Sequence, residues 1–125
     1  MSVDAVLFAK HLAPVCAFYE QVVGFAKARV EDDSVALETA GFRLTIVRIP
    51  QRIAASIKIA APSIRREETP IKLSFLVDCL QVARDRAAQC GGTVDPAERE
   101  WLFESHKHCD GHDPEGNVVQ LRQRV

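Results

Sequence analysis

Alternation of apolar and polar positions opens the chain. From Asp4 to Lys10, Ala5, Leu7 and Ala9 fall on one side of an extended segment, and Asp4, Val6, Phe8 and Lys10 on the other. That period of two predicts a strand with one face against a core. The period then changes. Val15, Phe18, Tyr19 and Val22 recur at i, i+3, i+4 and i+7, the apolar stripe of a helix. Pro14 suits its first turn and Gly24 its C-terminal cap. Three strands are predicted next, at about Ala26 to Glu31, Ser34 to Thr39 and Phe42 to Ile49, with turns at Asp32-Asp33 and Ala40-Gly41. In the last of them Phe42, Leu44 and Ile46 alternate with Arg43, Thr45 and Val47.

The same order returns further on. Leu73, Phe75 and Val77 alternate with Lys72, Ser74 and Leu76 over Ile71 to Val77. Asp78 and Gln81 have the spacing of a capping box. Leu80, Ala83 and Ala87 mark the inner stripe of a helix that Gly91-Gly92 stops. Strands are expected near Thr93 to Asp95, Trp101 to Cys109 and Asn117 to Gln123, the last entered through a turn at Asp113-Pro114-Glu115-Gly116-Asn117. The chain therefore reads as one domain built from two strand-helix-strand-strand-strand modules, 1–49 and 70–125. Between them, residues 50–69 form a linker. Ile57 and Ile59 alternate with Ser56 and Lys58 there, which predicts a short extra strand at a sheet edge. Arg65-Arg66-Glu67-Glu68 reads as a solvated turn whose charges cancel. The fold class is α+β: a curved mixed sheet whose outer face packs on the helices and whose inner face lines a shared cavity.

Composition narrows the function classes. With 125 residues the chain buries roughly two thirds of its unfolded surface, enough for a core. Sixteen basic and 17 acidic side chains give a net charge of -1, without the basic excess of a nucleic-acid binder. No apolar run approaches a membrane span. The opening Met-Ser-Val-Asp-Ala has no secretory pattern, so a cytoplasmic location is expected. Cys16, Cys79, Cys90 and Cys109 would be reduced thiols there, and their spacing matches no zinc motif. His106, His108, Asp110 and His112 recur with period two, so on an unbroken strand they would share a face and offer ligands for zinc or iron. Asp110-Gly111 equally suits a bend that would separate them.

Three segments carry a resemblance. Ala17-Phe18-Tyr19-Glu20 followed by Val23-Gly24-Phe25, then Phe75-Leu76-Val77-Asp78-Cys79-Leu80, then Asp113-Pro114-Glu115-Gly116-Asn117-Val118-Val119-Gln120-Leu121 resemble, in order, the signatures of the vicinal oxygen chelate superfamily. Its members include glyoxalases, bleomycin-resistance proteins and ring-cleaving dioxygenases. The resemblance implies the glyoxalase/bleomycin-resistance/dioxygenase fold. It also implies a divalent metal held by four side chains, which by position are Asp4, Thr45, Lys72 and Gln120 here. Thr45 is a poor ligand and Lys72 a cation, so no metal cofactor is expected at these places. Instead the Lys72 ammonium is expected to stand in for the metal, paired with Asp4.

The cavity face is then expected to bind a small organic molecule. Asp4, Phe8, Arg43 and Thr45 would line it from the first module, and Lys72, Ser74 and Gln120 from the second, with His106 and His108 nearby. Two functional readings follow from the resemblance. One is a binding module that sequesters a small molecule. The other is a lyase, isomerase or dioxygenase that uses a non-standard ligand set. A homodimer is expected, because open sheet edges need cover.

Overall fold

The computed structural model describes residues 2–125, and among these the chain forms nine strands and three α-helices. Strand β1 (Val3–Ala9) leads into α1 (Leu12–Phe18), which continues as a π-helical turn, Tyr19–Val23, closed by Gly24 at φ 93°. Strands β2 (Ala26–Val30), β3 (Ser34–Thr39) and β4 (Phe42–Arg48) complete the first unit. Helix α2 (Gln51–Ala54) stands in the linker. Strand β5 (Leu73–Leu76), helix α3 (Leu80–Gln89) and strands β6 (Thr93–Val94), β7 (Trp101–Phe103), β8 (His106–His112) and β9 (Val118–Arg124) form the second.

Each unit builds its own sheet. The first has the order β1-β4-β3-β2 with β1 and β4 parallel; the second has β5-β9-β8-β6 with β5 and β9 parallel and β7 added to β8. Among the described residues the two sheets are not joined by a strand ladder. Their edge strands β1 and β5 flank a gap, where Ala5, Val6 and Leu7 face Ile71, Leu73 and Val118 across a cavity of 170 Å³.

Packing closes the molecule on the helix side. Val15, Phe18, Tyr19 and Val22 are buried, as are Leu80, Ala83 and Ala87 of α3. Phe75 of the second unit sits among Tyr19, Phe25 and Phe42 of the first, with ring centroids 6.4, 5.5 and 5.8 Å away. The Asp113–Asn117 turn supplies the polar counterpart. Asp113 is fully buried, and its carboxylate accepts from the Tyr19 hydroxyl (2.9 Å), from the Glu115 N–H (2.9 Å) and from the Asn117 N–H (3.0 Å) and side-chain amide. Glu115, also buried, accepts from the backbone N–H groups of Lys10 and His11 at the entrance to α1 (2.8 and 2.7 Å). One turn of the second unit thus accepts the backbone N–H groups at the entrance to the first helix and the Tyr19 hydroxyl from its far end. Burial pushes the Asp113 carboxyl above its ordinary value, and the donors around it work against that rise.

Four expectations need correction. The linker holds no strand at Ser56–Ala60; its ordered element is α2. Ile57 and Ile59 are half-buried and their neighbours exposed, so the period of two comes from a segment lying on the surface without a ladder partner. The expected strand Trp101 to Cys109 is a hairpin, because Glu104 and Ser105 take left-handed φ values of 47° and 61° and reverse the chain. No capping box forms. The Leu80 N–H at the start of α3 is taken by Gln123 Oε1 of β9 (2.8 Å), while Gln81 bonds Asp85 and Arg84 along the helix. The Arg65–Glu68 stretch is solvated only in part: Arg66, Glu67 and Glu68 are exposed, but Arg65 is half-buried. Arg65 makes a two-pronged pair with Asp95 (3.1 and 2.6 Å), and the Arg66 N–H donates to the Gly116 carbonyl (2.9 Å).

Replacing Tyr19 by Phe keeps the ring but leaves the buried Asp113 carboxylate short of a donor. A loss of about 1–3 kcal/mol is expected, read by urea unfolding at pH 7. A loss near zero would show that the turn does not hold the units together.

Candidate functional site

On the second sheet Cys109, Val119 and Leu121 point into the core. Side chains alternate along strands, so Ser74, His108, Asp110, Gln120 and Arg122 emerge on the opposite, concave face. Pairing places Ser74 beside Gln120 and Asp110 beyond it; in the next row stand Leu76, Arg122 and His108. These groups form a connected array. Ser74 Oγ donates to Gln120 Oε1 (2.8 Å), which also faces His108 Nδ1 (3.2 Å). His108 Nε2 donates to the Phe103 carbonyl (3.1 Å). Arg122 Nη1 donates to the carbonyl and hydroxyl oxygens of Ser74 (2.9 and 3.0 Å). Lys72 Nζ lies 2.9 Å from Asp110 Oδ1 and 5.8 Å from the Trp101 ring centre, and Trp101 stacks on His108 at 5.5 Å. The surface is therefore an aromatic wall beside two cations and a hydroxyl–amide–imidazole chain. That combination suits a small anionic or oxygen-rich ligand.

The expected site residues fall into two groups. Lys72, Ser74, Gln120 and His108 lie within this array. His106 lies at its margin, donating through Nδ1 to the Glu104 carbonyl (2.8 Å). Asp4, Phe8, Arg43 and Thr45 belong to the concave face of the first sheet. There Arg43 is held by Glu38 (3.0 Å), beside Asp4. Among the described residues no hydrogen bond or salt bridge joins the two groups. The expected Lys72–Asp4 pair is not formed: Asp110 takes Lys72 instead, reached across β9 from the same sheet. Trp101 and Arg122 were not expected in the site, and Asp110 was expected only as a candidate metal ligand beside the histidines. Arg122 was within reach, being two positions from Gln120 on the same strand face. Trp101 was not, because only the Glu104–Ser105 reversal brings it back over His108.

The four family metal positions do not fit a divalent cation. They supply one carboxylate, one hydroxyl, one ammonium and one amide, and the ammonium and amide are engaged with Asp110, Ser74 and His108. The strand-end histidines do not replace them. Strand β8 runs unbroken through Asp110-Gly111 because Gly111 has no Cβ, which would lie 2.5 Å from the Thr93 carbonyl on β6. Yet among the described residues no three His, Cys, Asp or Glu side chains converge.

His112 ends the same strand. It is buried, and neither ring nitrogen makes a hydrogen bond. Burial, then the Arg65 guanidinium, hold its pKa below the ordinary 6.5, while the Asp113 and Asp95 carboxylates pull the other way.

Paired strand-helix-strand-strand-strand units on two sheets define the glyoxalase/bleomycin-resistance/dioxygenase fold. The family model described as "Glyoxalase-like domain" matches residues 3–122, so the chain belongs to that family, within the vicinal oxygen chelate superfamily. Solved structures agree on the fold. A glyoxalase/bleomycin resistance protein/dioxygenase family enzyme from Burkholderia phytofirmans PsJN is 20% identical, with 98% of this chain and 97% of that one covered at a TM-score of 0.67. A glyoxalase/bleomycin resistance protein from Albidiferax ferrireducens T118 is 14% identical, with 100% and 98% covered at 0.68. The fosfomycin resistance protein FosX from Listeria monocytogenes is 14% identical, with 98% and 91% covered at 0.66. No curated protein sequence matches the chain. No helix among the described residues is long and apolar enough to cross a membrane.

The state of His112 gives a pH dependence. Its folded pKa is depressed, so the unfolded chain binds the proton more readily, and stability falls as pH drops below about 6.5. Between pH 7.5 and about 5.5 the wild type should lose stability, and His112→Phe, which keeps a ring without titrating, should lose less. Urea midpoints at the two pH values measure it; equal losses would refute it.

Proposed function

We propose that the protein binds a small organic anion on the concave face of the second sheet, through Lys72, Ser74, Gln120 and His108 and without the family's metal. The observation that carries this reading is the arrangement at the metal positions of the second unit. Lys72 brings a positive charge to a place where the superfamily's cation would bind, and Asp110 and Trp101 hold it there at 2.9 and 5.8 Å. A fixed ammonium can orient a carboxylate or enolate oxygen as part of a Lewis acid's work. The hydroxyl and amide of Ser74 and Gln120 offer further hydrogen bonds, and Trp101 offers a flat apolar surface.

A titration with benzoate tests it. Lys72→Ala should weaken benzoate binding by about 10- to 150-fold, the 1.5–3 kcal/mol of a charge-assisted hydrogen bond, while the circular dichroism spectrum is unchanged. Unchanged affinity, or zinc or manganese bound tightly by the wild type and lost in Gln120→Ala, would overturn the proposal.

The concave faces also leave apolar groups in water, with Val6 60%, Phe8 61%, Trp101 39% and Phe103 59% exposed. A second copy of the chain is the proposed cover. Light scattering at micromolar concentration should then give twice the 13.9 kDa chain mass; the mass of one chain would exclude a homodimer at that concentration.

A further inference from the structure

A second feature adjoins this array. A cleft of 440 Å³ opens between the units, walled by Val23, Ala40 and Phe42 of the first and by Leu73, Phe75 and Leu76 of the second. That volume lies within the usual range of small-ligand clefts. Three polar side chains also line it: Thr39 on the first unit's hairpin, and Ser74 and Arg122, which bond to each other. The cleft therefore runs along the free edge of β5 and meets the concave face at Ser74 and Arg122.

Arg122 is the one charged group among the described residues lining the cleft. Its Nη1 corner is fixed by two hydrogen bonds to Ser74. Among the described residues Arg122, like five other arginines of the chain, has no carboxylate within 4.0 Å, so its charge is not neutralised by an ion pair. Its Nε and Nη2 make no hydrogen bond within the chain among those residues either. A guanidinium anchored at one corner with its other donors free is set up for two-pronged capture of a carboxylate. An arginine that merely extends its stem to reach solvent would not need the Ser74 bonds.

We infer that the ligand is an amphiphilic carboxylate, its head on Arg122 and Ser74 and its apolar chain in the inter-unit cleft. This rests on the anion-binding reading above and names the class of anion. The head group satisfies the free guanidinium edge, and the chain covers Phe42, Leu76 and Val23, none of which is fully buried. Acetate would use the head site alone. A neutral alcohol of the same length would use the cleft alone.

Titrations of octanoate, acetate and 1-octanol into the full chain, followed by amide NMR shifts, test this. Octanoate should bind at least tenfold more tightly than either of the others. Arg122→Gln should bring octanoate down to the affinity of 1-octanol. Ala40→Trp, a change on an exposed hairpin residue, should fill the cleft and weaken octanoate at least tenfold while leaving acetate unchanged. Octanoate binding no tighter than acetate, or insensitive to both variants, overturns the inference. The two readings fail separately. Benzoate held by Lys72 with octanoate indifferent to Arg122 refutes only the cleft. Octanoate dependent on Arg122 and Ala40, in a protein where Lys72→Ala changes nothing, refutes only the role of Lys72.

Discussion

The buried carboxylate of Asp113 is the contact on which the arrangement of the two units depends. It has no solvent exposure, and its donors come from its own turn and from Tyr19 on the other unit. Removing a carboxylate from water costs several kcal/mol unless hydrogen bonds replace the solvent. The turn and the helix of the first unit are therefore tied: if they part, Asp113 loses the Tyr19 donor. Glu115 adds the same logic at the entrance to α1. Around these polar contacts lies the Tyr19, Phe25, Phe42 and Phe75 cluster, which contributes burial but would tolerate sliding. The carboxylates fix the register.

Gly116 shows how closely the linker joins this clasp. Its φ is 83°, and a Cβ there would lie 2.1 Å from the Ile64 carbonyl. The linker passes so near that only a glycine fits, and the Arg66 N–H then reaches the Gly116 carbonyl. The same segment places Arg65 on Asp95. What looks in sequence like a charged connector is thus held against the second unit at Ser63 to Arg66.

Much of the fold was legible because two periods are physically enforced. The Val15, Phe18, Tyr19 and Val22 stripe and the Phe75 and Val77 alternation both mark buried faces, and both are observed. The misses have physical causes too. Glu104 and Ser105 reverse the chain in a left-handed conformation usually left to glycine or asparagine, so no turn residue announces the hairpin. Ile57 and Ile59 alternate because the surface beneath them is apolar on one side, which a sequence does not distinguish from strand pairing. Within the site, Lys72, Ser74, Gln120 and His108 follow from family position and strand parity. The Lys72 partner does not, since Asp4 and Asp110 are both acidic residues on concave faces, and only the separation of the two sheets decides between them.

The free edge of Arg122 also bears on how quickly a ligand arrives. The whole chain carries a net charge of -1, yet Arg122 and Arg124 stand on the concave face of the second sheet with no carboxylate within 4.0 Å among the described residues. A nearly neutral molecule with one locally positive face has a lopsided field. Anions drift toward that face from beyond contact distance, within a Debye length of about 8 Å at physiological salt. For a ligand held as proposed, association would be the step that responds to ionic strength, whereas departure would be governed by the short-range grip of guanidinium, hydroxyl and cleft.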